Sequence, residues 1–369
     1  MGDWKKQLLE GALKIGIEVS AEKNEENRED CVQHKDCIDN NSVDGQTYLP
    51  FDTRDALKGA SSVGGILIDN FSLKLNKTAR FDGEKFLFYK ADRHRVIFNP
   101  IPFYGDIDIH GIADRHKKSI RSLGLSIIQH EAKCDWRMIV GLGNESVHET
   151  SMMLHHVYGI PYIPGSAIKG VVRSWMITEK FGDPDSDIVP PEEKEYPLLN
   201  AEYRAFQDKG FCRIFGCPVK VKKYHFKNNM PMKEEFPLEA TAFGDSLRGE
   251  VFFFDAFPLQ APEISVDIMN PHYGAYYMPE ENGVKNVPPA DYLEPIPINF
   301  MTVQNTRFLF LCGVSYRNNH EIDVGYFSGK KPEKVITEWL QKALTEHGIG
   351  AKTAVGYGYM AEGKGGKAK

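Results

Sequence analysis

Lys169 and Arg173 stand four residues apart in the stretch YIPGSAIKGVVRSW (162–175), with Gly170 between them. On a helix, positions four apart share a face, so the two cations point the same way. A glycine between them lets another backbone come close. The first turn of such a helix adds N–H groups without helical partners and a partial positive charge, and together these suit a phosphate. The competing reading of the same residues is an amphipathic helix whose charged face is simply solvated.

A second stretch, GIGAKTAVGYGYM (348–360), sets Gly348, Gly350, Gly356 and Gly358 around a single cation, Lys352, followed by Thr353. Two nucleotide-binding patterns can be excluded here. A Walker loop needs G-x-x-x-x-G-K-[ST] between a strand and a helix, whereas Ala351 precedes Lys352 and the segment follows a helical pattern. The dinucleotide pattern G-x-G-x-x-G is not continued after Gly350. What remains is a cation-bearing loop able to hug a polynucleotide or a neighbouring subunit. Two further runs, HKKSIR (116–121) and KVKKYHFK (220–227), could line a basic groove or be solvated faces.

Catalytic chemistry is less well provided for. His155 and His156, and His272 in NPHYG, are the best general acid or base candidates, yet none has a partner at fixed spacing. Carboxylates lie in loop-like runs without the paired spacing of a metal-dependent nuclease. Cys31-x5-Cys37 with His34, and Cys212-x4-Cys217 with His225, lack the second pair of a zinc finger, and the six cysteines read as reduced thiols. No metal, cofactor or catalytic residue is expected. The run RGEVFFFD (248–255) departs from the RNA-recognition consensus at Glu250, Val251 and Asp255, so Phe252 and Phe254 read as core or interface.

The elements that must carry these residues can be read from periodicity and punctuation. WRMIVGLG (136–143) has the look of a strand. PGSAIKGVVRSWMITEKFG (164–182) reads as a helix with Ser166 as N-cap and Gly182 at its end, resting on Ile168, Val171, Val172 and Trp175. EVFFFDAFPL (250–259) and EISVDIM (263–269) read as paired strands and RFLFLCGVSYR (307–317) as another, before a helix opened by Pro332 and closed by Gly348. This order suggests a β-α-β-β-α-β, ferredoxin-like plan. Loops interrupt it: 183–197 and 279–297 are rich in proline and acid, and 21–46 carries almost no large apolar side chain and reads as mobile. The first sixteen residues read as an amphipathic helix. No fixed-period repeat is present.

The chain has 369 residues, room for two modest domains or one with long insertions. Its 45 Lys plus Arg against 51 Asp plus Glu give a net charge of -6, which argues against a free-standing nucleic-acid binder. The acid excess is concentrated in the first fifty residues, while 51–130 are net basic, so local basic faces remain available. Without a leader, a lipidation signal (Lys6 stands where myristoylation wants Ser or Thr) or a long apolar run, a cytoplasmic protein away from membranes is expected.

The pairing of G-x-P-Y-I-P-G-S-x-x-K-G-x-x-R (159–173) with the terminal G-x-G-x-K-T-x-x-G-Y-G loop (348–358) resembles the RAMP superfamily of CRISPR effector subunits. FGDSLRGEVFFFDAFPL (243–259) and VDIMNPHYGAYY (266–277) are similar to the family of sixth RAMP subunits of type III-B (Cmr) complexes. The resemblance covers roughly 131–360 and implies an α+β, ferredoxin-like (RRM-like) core with an antiparallel sheet, a glycine-rich C-terminal loop and several long insertions. It implies a domain plan of a variable region 1–130, a core 131–362 and a basic tail 363–369. It also implies a non-catalytic subunit that binds crRNA and assembles with target RNA, other RAMP subunits and small subunits. Lys169, Gly170, Arg173, Gly350, Lys352 and Thr353 are the RNA contacts it suggests. Two alternatives stay open: a metal-independent endoribonuclease using His155, His156 or Tyr162, and a pure protein-interaction cap.

Overall fold

The computed structural model describes residues 104–146, 148, 150–218, 220–227, 230–237, 247–270 and 297–362, with 70–77 and short strand segments between 42 and 96. The expected N-terminal helix, most of the acidic stretch 21–46, Cys31, His34, Cys37, His272 and the tail 363–369 lie outside the described residues. Contacts divide the chain into two units, residues 1–68 with 73–105, and residues 69–72 with 106–369. The first contains three short antiparallel pairs: Ser42–Val43 with Ile66–Leu67, Arg80–Asp82 with Lys85–Leu87, and Ala91–Asp92 with Arg95–Val96.

The second unit carries the candidate residues. It begins with α1 (Ile109–Arg121), β1 (Leu125–Cys134), β2 (Arg137–Met138), α2 (Gly165–Met176), α3 (Ala201–Gln207), α4 (Lys209–Phe215) and β3 (Gly216–Cys217). It continues with β4 (Lys220–Lys227), β5 (Met230–Pro237), β6 (Leu247–Arg248), β7 (Val251–Phe253), β8 (Phe257–Pro258) and β9 (Glu263–Met269). β10 (Ile298–Gln304), β11 (Arg307–Ser315), α5 (Pro332–Lys342) and β12 (Met360–Glu362) complete it.

The main sheet is antiparallel, in the order β7–β11–β1–β12, with β8 also on β11. β11 and β1 pair over nine positions, from Arg307↔Lys133 to Ser315↔Leu125. β11 is buried at seven consecutive positions, Phe308 to Val314, as befits a strand covered on both faces. One face meets α5: Ser126, opposite Val314, donates to Glu333 at 2.8 Å. The other meets α1, whose His116 packs against Phe254 and Phe257. α2 packs on β7 and on α5. A smaller antiparallel sheet, β9–β10–β2, adjoins the terminal loop. The fold is α+β with an antiparallel sheet, as expected.

Several element readings need correction. The run 136–143 supplies only β2, in the smaller sheet; the first strand of the main sheet is β1. β1 alternates buried Ile128, Ala132 and Cys134 with exposed Gln129 and Glu131, and this half-polar pattern hid it among charged residues. Met138, Ile139 and Val140 are buried beneath the terminal loop, so their apolarity reflects packing and not strand pairing with the main sheet. Residues 251–253 and 257–258 pair with β11, while 263–269 pair with β10, so the two segments are not partners of each other.

Helix boundaries follow the sequence more closely. α2 continues as a π-turn at Ile177–Phe181 and stops at Gly182, and α5 starts at Pro332 and ends through Ala343–His347 at Gly348, which has φ +78°. The N-cap is different: Pro164 holds that position and makes no side-chain bond. Asp255, from the chain between β7 and β8, accepts the Gly165 N–H at 2.7 Å. Proline at 164 and a carboxylate distant in sequence thus replace the local serine cap.

Candidate nucleic-acid interface

α2 is anchored by fully buried Ile168, Val172 and Met176. Val171 and Trp175 are only partly covered, and Trp175 donates to Glu346 at 3.2 Å. Gly165 is required here, because a Cβ would lie 2.3 Å from the Phe253 carbonyl oxygen. Anchored in this way, the helix turns Lys169, Gly170 and Arg173 to its outer side.

A third cation joins them. Arg248 ends β6, which pairs with β3 and leads into a segment fixed by the Glu250 N–H to Arg213 carbonyl bond at 2.7 Å. Its guanidinium lies 5.0 Å from the Phe252 ring centroid. Burial, and then the charges of Arg173 and Arg248, hold the Lys169 ammonium below its ordinary range. Arg173 pairs with exposed Glu202 at 2.6 Å and lies 5.1 Å from the Phe206 ring centroid, with Glu202 and Phe206 both on α3. Among the described residues no carboxylate pairs with Lys169 or Arg248. Among the described residues nothing lies within 4 Å of a Cβ added at Gly170, so their packing does not require a glycine there. Two aromatic-backed guanidinium groups and a partly buried ammonium thus gather beside the helix face at Gly170, an arrangement whose chemistry suits an anion.

The terminal loop is held by backbone bonds. Ala351 donates to the Ile139 carbonyl at 2.8 Å, Gly358 to that of Arg137 at 2.7 Å, and Ile349 to that of Gly358 at 2.9 Å. Gly350 has φ +101°, and its Cβ would stand 2.2 Å from the Ile139 oxygen. Lys352 is left-handed at φ +62°, and its ammonium turns inward, 5.4 Å from the Phe300 ring centroid and 3.9 Å from Met269 Sδ. Thr353 opens the 3-10 turn Thr353–Val355. The glycine pattern thus fits the loop against β2 and the residues after it. The loop starts where α2 ends, since His347 stacks on Trp175 at 5.1 Å between centroids. Lys169, Gly170 and Arg173 form one patch with Arg248, while Gly350, Lys352 and Thr353 form a second.

The other basic runs are differently placed. HKKSIR lies on α1, with Lys118 and Arg121 exposed and His116 turned inward. KVKKYHFK forms β4, paired with MPMKEEFP in β5, where Lys220 faces Glu235 and His225 faces Glu234, each at 3.9 Å. Lys223 lies 5.1 Å from the Tyr203 ring centroid.

His155 is built into an aromatic cluster. It stacks on His156 at 5.4 Å and Tyr158 at 4.8 Å, meets Tyr162 and Phe257 each at 5.5 Å, and accepts the Tyr158 N–H through Nδ1 at 3.4 Å. Burial, then the neighbouring His156, lowers its pKa, so the ring is neutral at pH 7. Burial, then Asp255, raises that of Tyr162. Cys212 and Cys217 are buried free thiols. Among the described residues no three His, Cys, Asp or Glu side chains are arranged to hold a metal, and no helix is long and apolar enough to cross a membrane.

Arg248 is the residue that sequence reasoning missed. Its only local signal is the Arg-Gly step before an apolar strand. Its approach to Lys169 depends on the pairing of β6 with β3 and on α2 packing against β7.

Comparison with known proteins places this architecture. The family model of the RAMP superfamily matches residues 132–361. The CRISPR system Cmr subunit Cmr6 of Pyrococcus furiosus is 37% identical over 262 residues, covering 64% of this chain and 68% of that protein. Its counterpart in Saccharolobus solfataricus is 23% identical over 288 residues, covering 76% and 73%. The crystal structure of Cmr6 from Pyrococcus furiosus is similar with a TM-score of 0.35 at 31% identity, covering 65% of this chain and 98% of that one. The chain belongs to the RAMP superfamily.

Proposed function

We propose that this chain is a non-catalytic subunit of a type III-B CRISPR RNA-guided, RNA-targeting complex, holding crRNA and assembling with neighbouring RAMP subunits and small subunits in the cytoplasm. The observation that carries the reading is the cluster of Lys169, Arg173 and Arg248 beside the open helix face at Gly170. A sugar-phosphate backbone laid along α2 neutralises cations that otherwise repel one another, and the missing side chain at Gly170 lets it approach. The 37% identity to a protein named as Cmr subunit Cmr6 supports the choice of complex. The order of the core strands, second–third–first–fourth in the chain, supports the ferredoxin-like, RRM-like plan.

A net charge of -6 is compatible with this role, because a subunit that shares one RNA strand with its neighbours needs a basic patch and not a basic surface. The non-catalytic part of the reading is supported by His155, whose ring is committed to stacking and whose Nδ1 is occupied. The test is retention of guide RNA by the assembled complex carrying Lys169→Glu, Arg173→Glu or Arg248→Glu. Reduced RNA per complex at unchanged subunit composition is the expected result. Full retention in all three would sink the proposal, and cleavage of repeat RNA by the isolated protein, lost in His155→Gln, would replace it with an endoribonuclease.

A further inference from the structure

Trp136 lies between β1 and β2 with 51% of its surface open to solvent, yet it is firmly supported. The Tyr357 ring meets it at 4.9 Å between centroids, tilted by 44°, and the Arg137 guanidinium lies 5.3 Å from its centroid. Both supports are tied to one carboxylate. Tyr357 donates its hydroxyl to Asp267 at 2.6 Å, and Arg137 forms an ion pair with the same oxygen. Burial works to raise the Asp267 pKa, but the bonds from Tyr357 and Ile268 and the charge of Arg137 outweigh it, so the carboxylate stays ionised. Beneath, Tyr357 packs with Ile139 and Phe300 in a small core that also receives Leu142, Met269 and Ala351.

A large, open, rigid indole is costly to leave in water and presents a ready surface to a planar ligand. Its surroundings indicate which one. Arg137 lies against the indole, and although its Nη1 is paired with Asp267, its buried Nε–H has no acceptor among the described residues. A guanidinium beside an exposed indole suits an aromatic ring attached to an anionic backbone better than an aliphatic protein surface. The loop that supports Trp136 also begins at the C-terminal end of α2, which connects this ring to the helix bearing Lys169 and Arg173.

We propose that Trp136, backed by Tyr357 and Arg137, is a stacking platform for an unpaired base of single-stranded RNA. The inference rests on the reading of the chain as an RNA-holding subunit and adds to it a contact that recognises the base and not the phosphate. Because Tyr357 and Arg137, which back the indole, are already held by Asp267, little ordering of its support remains to oppose stacking.

The experiment measures binding of the purified full-length protein to a fluorescent oligouridylate and to an otherwise identical oligomer of abasic riboses. Trp136→Ala and Trp136→Phe are compared with wild type and with Lys169→Glu, after circular dichroism has established that each is folded. Expected results are about tenfold weaker oligouridylate binding in Trp136→Ala, most of it restored in Trp136→Phe, and equal binding of the abasic oligomer by wild type and Trp136→Ala. Lys169→Glu should weaken both oligomers alike. If wild type binds the abasic oligomer as tightly as oligouridylate, or Trp136→Ala binds both as wild type does, stacking is overturned while loss in Lys169→Glu keeps the RNA reading. If neither variant alters binding, both proposals are overturned.

Discussion

Lys169 and Arg248, 79 positions apart in the chain, share one patch: the charge of Arg248 helps to depress the Lys169 ammonium, and the Arg248 guanidinium is backed by the Phe252 ring at 5.0 Å. Neither cation has an ion-pair partner among the described residues. Arg173, the third member, has Glu202. Among the described residues the patch thus holds three cations and one carboxylate partner, with α2 on one side and the segment entering the main sheet on the other.

Substituting Lys169 or Arg248 with Glu should lower RNA affinity at every sequence tested. The slope of log affinity against log salt should fall by about 1 for each phosphate contact removed. Titrations of oligoribonucleotide at several salt concentrations measure this. An unchanged slope in both variants would remove these cations from the interface.

Gly170 gives a test in which stability and binding move in opposite directions. A Cβ there meets nothing within 4 Å among the described residues, so Gly170→Ala should stabilise the helix by roughly 0.5–1 kcal/mol and raise the melting temperature. Gly170→Leu should leave the fold intact yet weaken RNA binding by blocking backbone approach. Equal RNA affinity in the leucine variant would contradict the role given to this face.

Gly350 should respond in the opposite sense. At φ +101°, with the Ile139 carbonyl oxygen 2.2 Å from where a Cβ would stand, Gly350→Ala should destabilise the fold by about 2 kcal/mol or more. Urea denaturation checks this. A cost under about 0.5 kcal/mol would show that the loop can leave β2 without penalty.

Arg204 anchors the loop that follows α2. Its Nε donates to the Phe181 carbonyl at 2.8 Å, Nη2 reaches the carbonyls of Phe181 and Pro197, and Nη1 pairs with Glu193. Arg204→Ala leaves three partners unmet and should cost about 3 kcal/mol or more, while Arg204→Lys, without the planar fork, should recover only part of it. Limited proteolysis within 183–197 should rise in parallel. Wild-type stability of the alanine variant would contradict this anchoring.

Acid should weaken the fold through His116 and His155. Burial lowers both pKa values, with Asp255 opposing the effect at each and His156 reinforcing it at His155. The unfolded chain therefore binds protons more readily than the folded one. These histidines contribute stability that is present above about pH 6.5 and lost as pH falls through their lowered folded values. The melting temperature should drop between pH 7.5 and 5.5, and by less in His116→Asn/His155→Asn. An equal drop in both proteins would assign the acid sensitivity elsewhere.

The helices were legible because their signals are local. Ile168, Val172 and Met176 repeat at four-residue spacing, Pro332 opens α5, and Gly182 and Gly348 end the two helical stretches. β1 was not, because His130, Glu131 and Lys133 make it look polar until it pairs beside β11 and α5 and α1 pack on the sheet. The Asp255 cap on α2 and the arrival of Arg248 beside Lys169 depend on contacts about 80 to 90 residues apart, which no local spacing encodes. The glycines of the terminal loop were visible as a pattern. Their fit against Ile139 and Arg137 emerged only with the β2 segment in place.

The most direct measurement is photo-crosslinking of bound RNA in the complex purified with this chain, followed by mapping of the peptides that carry nucleotide. Adducts within 162–175 and 247–253, with a further adduct at Trp136, are the expected result. Recovery of RNA crosslinked to neighbouring subunits and never to this chain would contradict the account and leave these surfaces as protein contacts.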